Sequence, residues 1–293
     1  LSLITLPTIA EAIQEGARRL QAWSVTEERR TAGVLLGHVL GLDRTHLFTR
    51  SNETIEQSRY QEYLRLIERR AAGEPLQYIL GHQEFYGLDF IVTPAVLIPR
   101  PETEFLVERV IDLARDSELN APLIVDAGTG SGCIAVTLAV NLANARVIAT
   151  DISSAAIEVA QLNAARHAVA ERIEFLAGDL LAPLAGRGLE NAVDILASNP
   201  PYVAEDSPEL IQRDVREWEP AAALFGGADG LRFYRRLLVD GLRVVKPGGY
   251  LVCEIGYMQL DAISQLIAAS GWQLLDVTRD LQGIPRTLVV KRG

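Results

Sequence analysis

From residue 123 to the end of the chain, short apolar runs alternate with stretches of helical period. That alternation leaves little choice of architecture. Leu123-Ile124-Val125-Asp126-Ala127, Arg146-Val147-Ile148-Ala149-Thr150, Ile173-Glu174-Phe175-Leu176 and Val193-Asp194-Ile195-Leu196-Ala197 are too short for helices, and their apolar character fits strands buried on both faces. Helices are expected between them over 132–143 and 154–167, the second capped by Ser153 or Ser154. Further on, a helix is expected over 231–245. Lys246-Pro247-Gly248-Gly249 then turns into a strand over 250–255, and a helix follows over 259–269. The segments 272–277 and 287–290 close the chain as an antiparallel pair. Strands joined through helices run parallel with right-handed crossovers, so helices cover both faces. The fold class is therefore α/β, with a mostly parallel seven-stranded sheet.

Residues 1–80 have a different pattern, with apolar positions at helical spacing in Ile9-Ala10-Ile13-Ala17-Leu20, Val34-Leu35-Val39-Leu40 and Tyr60-Tyr63-Leu64-Ile67. Thr8 and Thr26 are the expected caps, Gly41 and Gly73 the expected stops. Four or five short helices without strands make a small bundle, either a cover for the second domain or a substrate-recognition module. Aromatic and β-branched residues around Gly87 predict a β-hairpin linker over 81–97. The catalytic domain is then 98–293. It opens with Ile98-Pro99-Arg100-Pro101-Glu102-Thr103-Glu104, an extended segment running into a helix with acids at its positive end.

The 293 residues carry a net charge of −10, about −1 of it in residues 1–85, which argues against a general nucleic-acid binder. The chain contains no apolar run of membrane-spanning length. Residues 1–10 are apolar but lack a basic leader and run into Glu11 and Glu15, so they do not read as a signal peptide. Two cysteines in apolar stretches, Cys133 and Cys253, are expected as buried free thiols in a reducing compartment. His, Cys and carboxylates have no metal-ligand spacing, so no metal is expected.

Three turns at successive strand ends stand out. Gly128-Thr129-Gly130-Ser131-Gly132 follows the first strand in a G-x-G-x-G spacing. Cys133 stands where a dinucleotide fingerprint needs its last glycine, and the G-K-[ST] of a phosphate loop is missing. A ligand without pyrophosphate is favoured, S-adenosylmethionine with its amino-acid portion over the glycines. Taken alone, such a turn is as often merely tight. Asp151, past the second strand, can accept both ribose hydroxyls, or simply cap the next helix. Past the third strand, Asp179 can accept from an adenine amine and Leu180 can pack on the ring, although a loop Asp that caps a turn is the commoner case. Together the three define a nucleoside pocket.

The fourth turn carries the chemistry. After the strand over 193–197 comes Ser198-Asn199-Pro200-Pro201-Tyr202. Two prolines cannot donate to a sheet or helix, so the chain leaves the carboxyl edge rigid and extended. The carboxyl edge of an open α/β sheet is where ligands bind. Methyl transfer from a sulfonium needs a nucleophile held in line with the methyl, and a conjugated NH₂ is a poor nucleophile. Asn199 Oδ1 and the Pro200 carbonyl can hold its two hydrogens, Tyr202 can pack against the planar group, and Pro201 stiffens the corner. No general base is needed before attack. Adenine's or guanine's exocyclic amine is conjugated like an amide, so a nucleic-acid amine methyltransferase is the alternative, although base flipping calls for cationic surface.

The combination resembles the class I, Rossmann-like methyltransferases with an Asn-Pro-Pro-Tyr motif. More narrowly, it resembles the release factor glutamine methyltransferase (HemK/PrmC) family. Pro75-Leu76-Gln77-Tyr78-Ile79-Leu80-Gly81, Glu84-Phe85-Tyr86-Gly87, the segment Ile98 to Glu104, the glycine turn, the Asn199 motif, Glu219-Pro220 with Ala223-Leu224, and Asp229-Gly230-Leu231 carry the likeness over nearly the whole chain. The Asn199 motif alone is shared with adenine DNA methyltransferases; the Ile98 segment is the most specific. Family members often have an aromatic at Leu180 and a Leu at Ala127. The resemblance implies S-adenosyl-L-methionine as cofactor and S-adenosyl-L-homocysteine as product. It also implies a helical N-terminal domain that grips class I peptide chain release factors and methylation of the glutamine in their Gly-Gly-Gln motif, which modulates translation termination. A cytoplasmic monomer without direct sequence-specific nucleic-acid binding or membrane attachment is expected.

Overall fold

The computed structural model describes residues 6–23, 25–117, 119–206 and 211–293. The start of the apolar 1–10 stretch and residues 207–210 lie outside the described residues. The chain divides into two compact units: Leu1–Gly81 with Arg213–Trp218, and His82–Gln212 with Glu219–Gly293.

The first unit contains α1 (Ile9–Ala22), α2 (Glu28–Leu40), α3 (Arg44–Thr49), α4 (Gln57–Ala71) and α5 (Leu76–Leu80). Thr8 caps α1 in a reciprocal box: Glu11 N–H donates to Thr8 Oγ1 at 3.2 Å, and Thr8 N–H donates to Glu11 Oε2 at 2.7 Å. Thr26 does not cap α2. The helix starts one residue later from Glu27, in a left-handed conformation with no side-chain cap, and ends as expected at left-handed Gly41. Leu20, Leu35, Leu36, Tyr63 and Ile67 form the buried centre of the bundle, where Tyr63 OH donates to Ala12 O at 3.1 Å. Residues 213–218 join this unit through Asp214, 3.7 Å from Arg70.

The second unit begins with the hairpin β1 (His82–Phe85) and β2 (Leu88–Ile91), turning at Tyr86 and Gly87, both at positive φ. Phe85 and Phe90 are buried in the unit's core beside Leu106 and Val110 of α6 (Thr103–Asp116), so this stretch packs as part of the second unit. Then come β3 (Leu123–Ala127), α7 (Cys133–Asn141), β4 (Arg146–Asp151), α8 (Ser154–Arg166), β5 (Ile173–Ala177), β6 (Val193–Ser198), α9 (Arg213–Trp218, in the first unit), α10 (Arg232–Val244), β7 (Val245–Glu254), α11 (Leu260–Ala268), β8 (Trp272–Arg279) and β9 (Pro285–Arg292). The sheet order is β5-β4-β3-β6-β7-β9-β8, parallel from β5 to β7, with β9 antiparallel to both its neighbours. Two core layers cover its faces.

The sequence places a turn at Lys246–Gly249, whereas β7 already starts at Val245. Val193 pairs with Val245 and the next pair is Ile195 with Tyr250, so Lys246–Gly249 bulges out of the strand, with Lys246 paired to Asp194. The strand order reverses at β3, which lies between β4 and β6. This is the switch point where an open α/β sheet leaves a crevice beyond its carboxyl ends. Ser198 Oγ donates to Ala127 O at 2.7 Å, locking the ends of β6 and β3 side by side. Among the described residues no helix is long and apolar enough to cross a membrane.

Candidate active site

The glycine turn is held from below and from the side. Gly128 N–H and Thr129 N–H both donate to Thr150 O at 2.9 Å. Beneath it, Thr129 Oγ1 donates to Asp126 Oδ2 at 2.6 Å and Ala135 N–H to the same oxygen at 3.2 Å. Asp126 is fully buried and among the described residues its Oδ1 has no partner, so burial pushes the carboxyl up to about 7. Gly128, Gly130 and Gly132 all have positive φ. A Cβ on Gly128 or Gly130 would meet open space, whereas one on Gly132 would come within 3.0 Å of Ala160 Cβ on α8. The first two glycines therefore face an open cradle, and the third allows close helix packing. The side chains of Thr129 and Ser131 are buried, so both residues meet the cradle only through backbone; Ser131 O accepts from Asn163 Nδ2 at 2.9 Å.

Asp151 ends β4 with Oδ2 accepting from Gly130 N–H and Oδ1 from Ser153 N–H, each at 2.9 Å. It does not cap α8, a role taken by Ser153. Burial raises the Asp151 carboxyl, and the bonds from Ser153 and Gly130 oppose that shift. Gly178 N–H donates to Asp151 O at 2.8 Å, so the turn after β5 adjoins the end of β4. Asp179 is held by both terminal guanidinium nitrogens of Arg236, each at 2.9 Å, a partner not visible in the sequence pattern. Leu180 has a left-handed backbone (φ +49) and is buried in the second core layer.

Across the switch point, Asn199 is half-buried and Pro200 buried. Asn199 Nδ2 donates to Thr103 Oγ1 at 3.0 Å, and Thr103 Oγ1 donates to Glu254 Oε2 at 2.5 Å. Tyr202 OH donates to Glu254 Oε1 at 3.3 Å, while Tyr202 O accepts from Gln259 Nε2 at 2.9 Å. Among the described residues neither Asn199 Oδ1 nor the Pro200 carbonyl meets a donor. The charge of Glu254 and burial raise the Tyr202 phenol far above its usual range. Pro201 O lies close against Gly226, where a Cβ would stand 2.5 Å away. Beyond Tyr202, Val203 bridges to Leu224 and Gly226, and a cavity of about 460 Å³ is lined by Glu205, Ala221, Ala222 and Phe225. That hollow lies on the loop side of the motif rather than over the glycine turn.

Thr103, Glu254, Arg236, Asn163 and Glu219 had no role in the sequence reading. Thr103 and Glu219 were visible only as letters of longer motifs. Glu254 carried one signal, a carboxylate inside an apolar strand. The open Gly128–Gly130 cradle and the acceptor capacity left on the Asp151 carboxylate fit an adenosyl cofactor.

A glycine turn, acidic strand ends and an Asn-Pro-Pro-Tyr corner at the switch point of this sheet define a class I, S-adenosylmethionine-dependent methyltransferase. The models for the PrmC N-terminal domain and the methyltransferase small domain match residues 11–81 and 102–217. The chain is 43% identical to a release factor glutamine methyltransferase of Koribacter versatilis over 97% of this chain and 99% of that one. It is 47% identical to that of Moorella thermoacetica over 90% and 91%. It therefore belongs to the release factor glutamine methyltransferase family. Among solved structures, a Pyrococcus furiosus methyltransferase (18% identical, TM-score 0.51, 80% of this chain and 98% of that one) shares the fold. So does the hMettl16 catalytic domain crystallised with an MAT2A 3′UTR hairpin (16%, TM-score 0.54, 82% and 83%).

Proposed function

We propose that this chain methylates the side-chain amide nitrogen of the glutamine in the Gly-Gly-Gln loop of class I peptide chain release factors, modulating translation termination. In this reading S-adenosyl-L-methionine is the donor and S-adenosyl-L-homocysteine the product, the helical unit of residues 1–80 grips the factor, and the enzyme works as a cytoplasmic monomer. The reading rests on one observation above all: Asn199 turns its NH₂ to Thr103, and among the described residues neither its Oδ1 nor the adjoining Pro200 carbonyl meets a donor.

Gly128, Thr129, Gly130, Ser131 and Gly132 receive the cofactor's amino-acid portion on the backbone. Asp151 accepts from its ribose. Asp179 accepts from the adenine amine with a lone pair not used by Arg236, and Leu180 covers the ring. When bound, the cofactor supplies an electrophilic methyl on a sulfonium. Asn199 Oδ1 and Pro200 O accept the two amide hydrogens and aim the nitrogen at that methyl. Holding the pair within about 3–3.5 Å and in line can contribute roughly 7–11 kcal/mol. As positive charge develops on nitrogen, both acceptors bind it more tightly, which lowers the barrier rather than only improving binding, and the methylated amide then gives up one hydrogen as a proton to water. Tyr202 packs against the flat group, and Pro200-Pro201 keep the acceptors from relaxing. A nucleic-acid amine is not favoured as acceptor: the chain's net charge of −10 provides no cationic field for a phosphate backbone.

Mass spectrometry of release factors from cells lacking this protein tests the substrate, the expected result being an unmethylated Gly-Gly-Gln glutamine; full methylation there refutes the assignment. Asn199→Ala tests the site. It should abolish kcat while S-adenosylhomocysteine affinity stays within about tenfold. A loss of cofactor binding that matches the loss of rate would contradict the role given to Asn199.

A further inference from the structure

We propose that Thr103 and Glu254 are positioning residues that fix which way the Asn199 amide faces. The inference rests on the methyl-transfer reading above and adds to it the device that orients the acceptor. A threonine hydroxyl has one hydrogen to donate. The Thr103 hydroxyl sits between two groups, 2.5 Å from Glu254 Oε2 and 3.0 Å from Asn199 Nδ2, and is 2% exposed. An ionised carboxylate can only accept, so Thr103 must give its hydrogen to Glu254. The hydroxyl is then left as an acceptor, and only the NH₂ of Asn199 can face it. Oδ1 is thereby turned to the open side, where a substrate amide needs an acceptor. The 2.5 Å separation is in the range of an O–H···O⁻ bond.

The device has a consequence that mere packing does not. If Glu254 takes a proton it can donate to Thr103, and the threonine hydrogen becomes free to bond Asn199 Oδ1. Both amide orientations are then satisfied, and the one with NH₂ facing the substrate repels it. Burial raises the Glu254 carboxyl to about 7, so this switch falls in an accessible pH range. Thr103 and Tyr202 oppose the shift, Glu102 adds to it, and Arg286 on β9 opposes it. The other titratable groups around it are the Cys133 thiol on α7, itself pushed up to about 12, and Tyr234 on α10, whose hydroxyl donates to Glu254 O at 3.0 Å; Arg100 faces Tyr202.

The test uses the full-length enzyme, tritiated S-adenosylmethionine and unmethylated class I release factor, with S-adenosylhomocysteine affinity measured calorimetrically on each variant. Thr103→Val, close to isosteric, should lower kcat about 30- to 100-fold with affinity changed less than about threefold, and Thr103→Ser should restore the rate to within about threefold of wild type. In the wild type kcat should fall toward acid at constant affinity, and in Glu254→Gln that acid limb should be absent whatever its plateau. Wild-type kcat in Thr103→Val, a Thr103→Ser no better than Thr103→Val, equal losses of rate and affinity, or an unchanged acid limb in Glu254→Gln would each overturn the proposal. Asn199→Ala run alongside separates the two levels. If it is inactive while Thr103→Val is unimpaired, the active-site reading stands and this inference fails; if it keeps wild-type kcat, the reading itself fails.

Discussion

Arg100 and Glu219, 119 residues apart, are joined at 2.5 Å between Nη2 and Oε1, and the second oxygen of Glu219 accepts from Ile98 N–H at 3.0 Å. The Glu219 side chain is 1% exposed and that of Arg100 30%. One carboxylate thus pins the extended Ile98–Arg100 segment just ahead of Thr103, the residue that contacts Asn199.

Glu219→Ala leaves a buried N–H and a partly buried guanidinium without their acceptor. Because Arg100 can still reach water, the expected loss is about 2–3 kcal/mol rather than the larger cost of a fully buried broken pair. Glu219→Gln keeps an acceptor for Ile98 and should lose about half as much. Urea denaturation of the three proteins checks the order; equal stabilities would mean the pair is not holding this segment.

Asn163 on α8 is fully buried and makes three bonds. Its Oδ1 accepts from Ile91 N–H at 2.7 Å, and Nδ2 donates to Ile91 O at 3.0 Å and Ser131 O at 2.9 Å. It ties the hairpin to the glycine turn. Asn163→Ala should cost about 2–3 kcal/mol and also weaken S-adenosylhomocysteine binding, because the turn loses its tether at Ser131. Destabilisation with cofactor affinity untouched would confine Asn163 to the hairpin.

Two glycines of the same turn should respond differently to alanine. At Gly132 a Cβ meets Ala160 at 3.0 Å, so Gly132→Ala should lower stability by about 1–3 kcal/mol. At Gly128 the space is open and only the positive φ opposes the substitution, a cost of about 1 kcal/mol. There the methyl enters the cradle, so Gly128→Ala should lower cofactor affinity more than it lowers stability. Calorimetric titration and thermal melts give both quantities, and the reverse pattern would put the cradle on the wrong side.

Stability should depend on pH through Glu254. Its folded carboxyl titrates at about 7 and its unfolded one at 4.5, so the native state binds the proton more tightly. The stabilisation is complete below pH 4.5 and is lost as pH rises to about 7. Across that window wild type should lose about 3 kcal/mol relative to Glu254→Gln. Asp126, raised in the same way, gives the same sign. Urea titrations of both proteins at several pH values give the difference; a difference independent of pH would mean Glu254 titrates normally.

Much of the fold can be read from local chemistry. The seven strands, the hairpin turn at Tyr86-Gly87 and the Thr8 and Ser153 caps each depend on residues within one or two turns of each other. The Lys246–Gly249 bulge is not legible in its own segment, because the pairing of β7 with β6 decides it, and α2 starts from Glu27 rather than from a Thr26 cap.

By itself the amino-acid order determined that this chain makes a mostly parallel sheet, and that Asn199, the glycine turn, Asp151 and Asp179 lie at the carboxyl ends of its strands. Apolar period and proline and glycine chemistry act over a few residues and need no partner. Only the tertiary structure decided that Thr103 would reach Asn199 across 96 residues and Glu254 across 151, that Arg236 would clasp Asp179, and which face Asn199 would turn outward. Those outcomes depend on hydrogen bonds between strand ends and helices that meet only when the sheet is assembled, and a hydrogen bond's direction is set by all its neighbours at once.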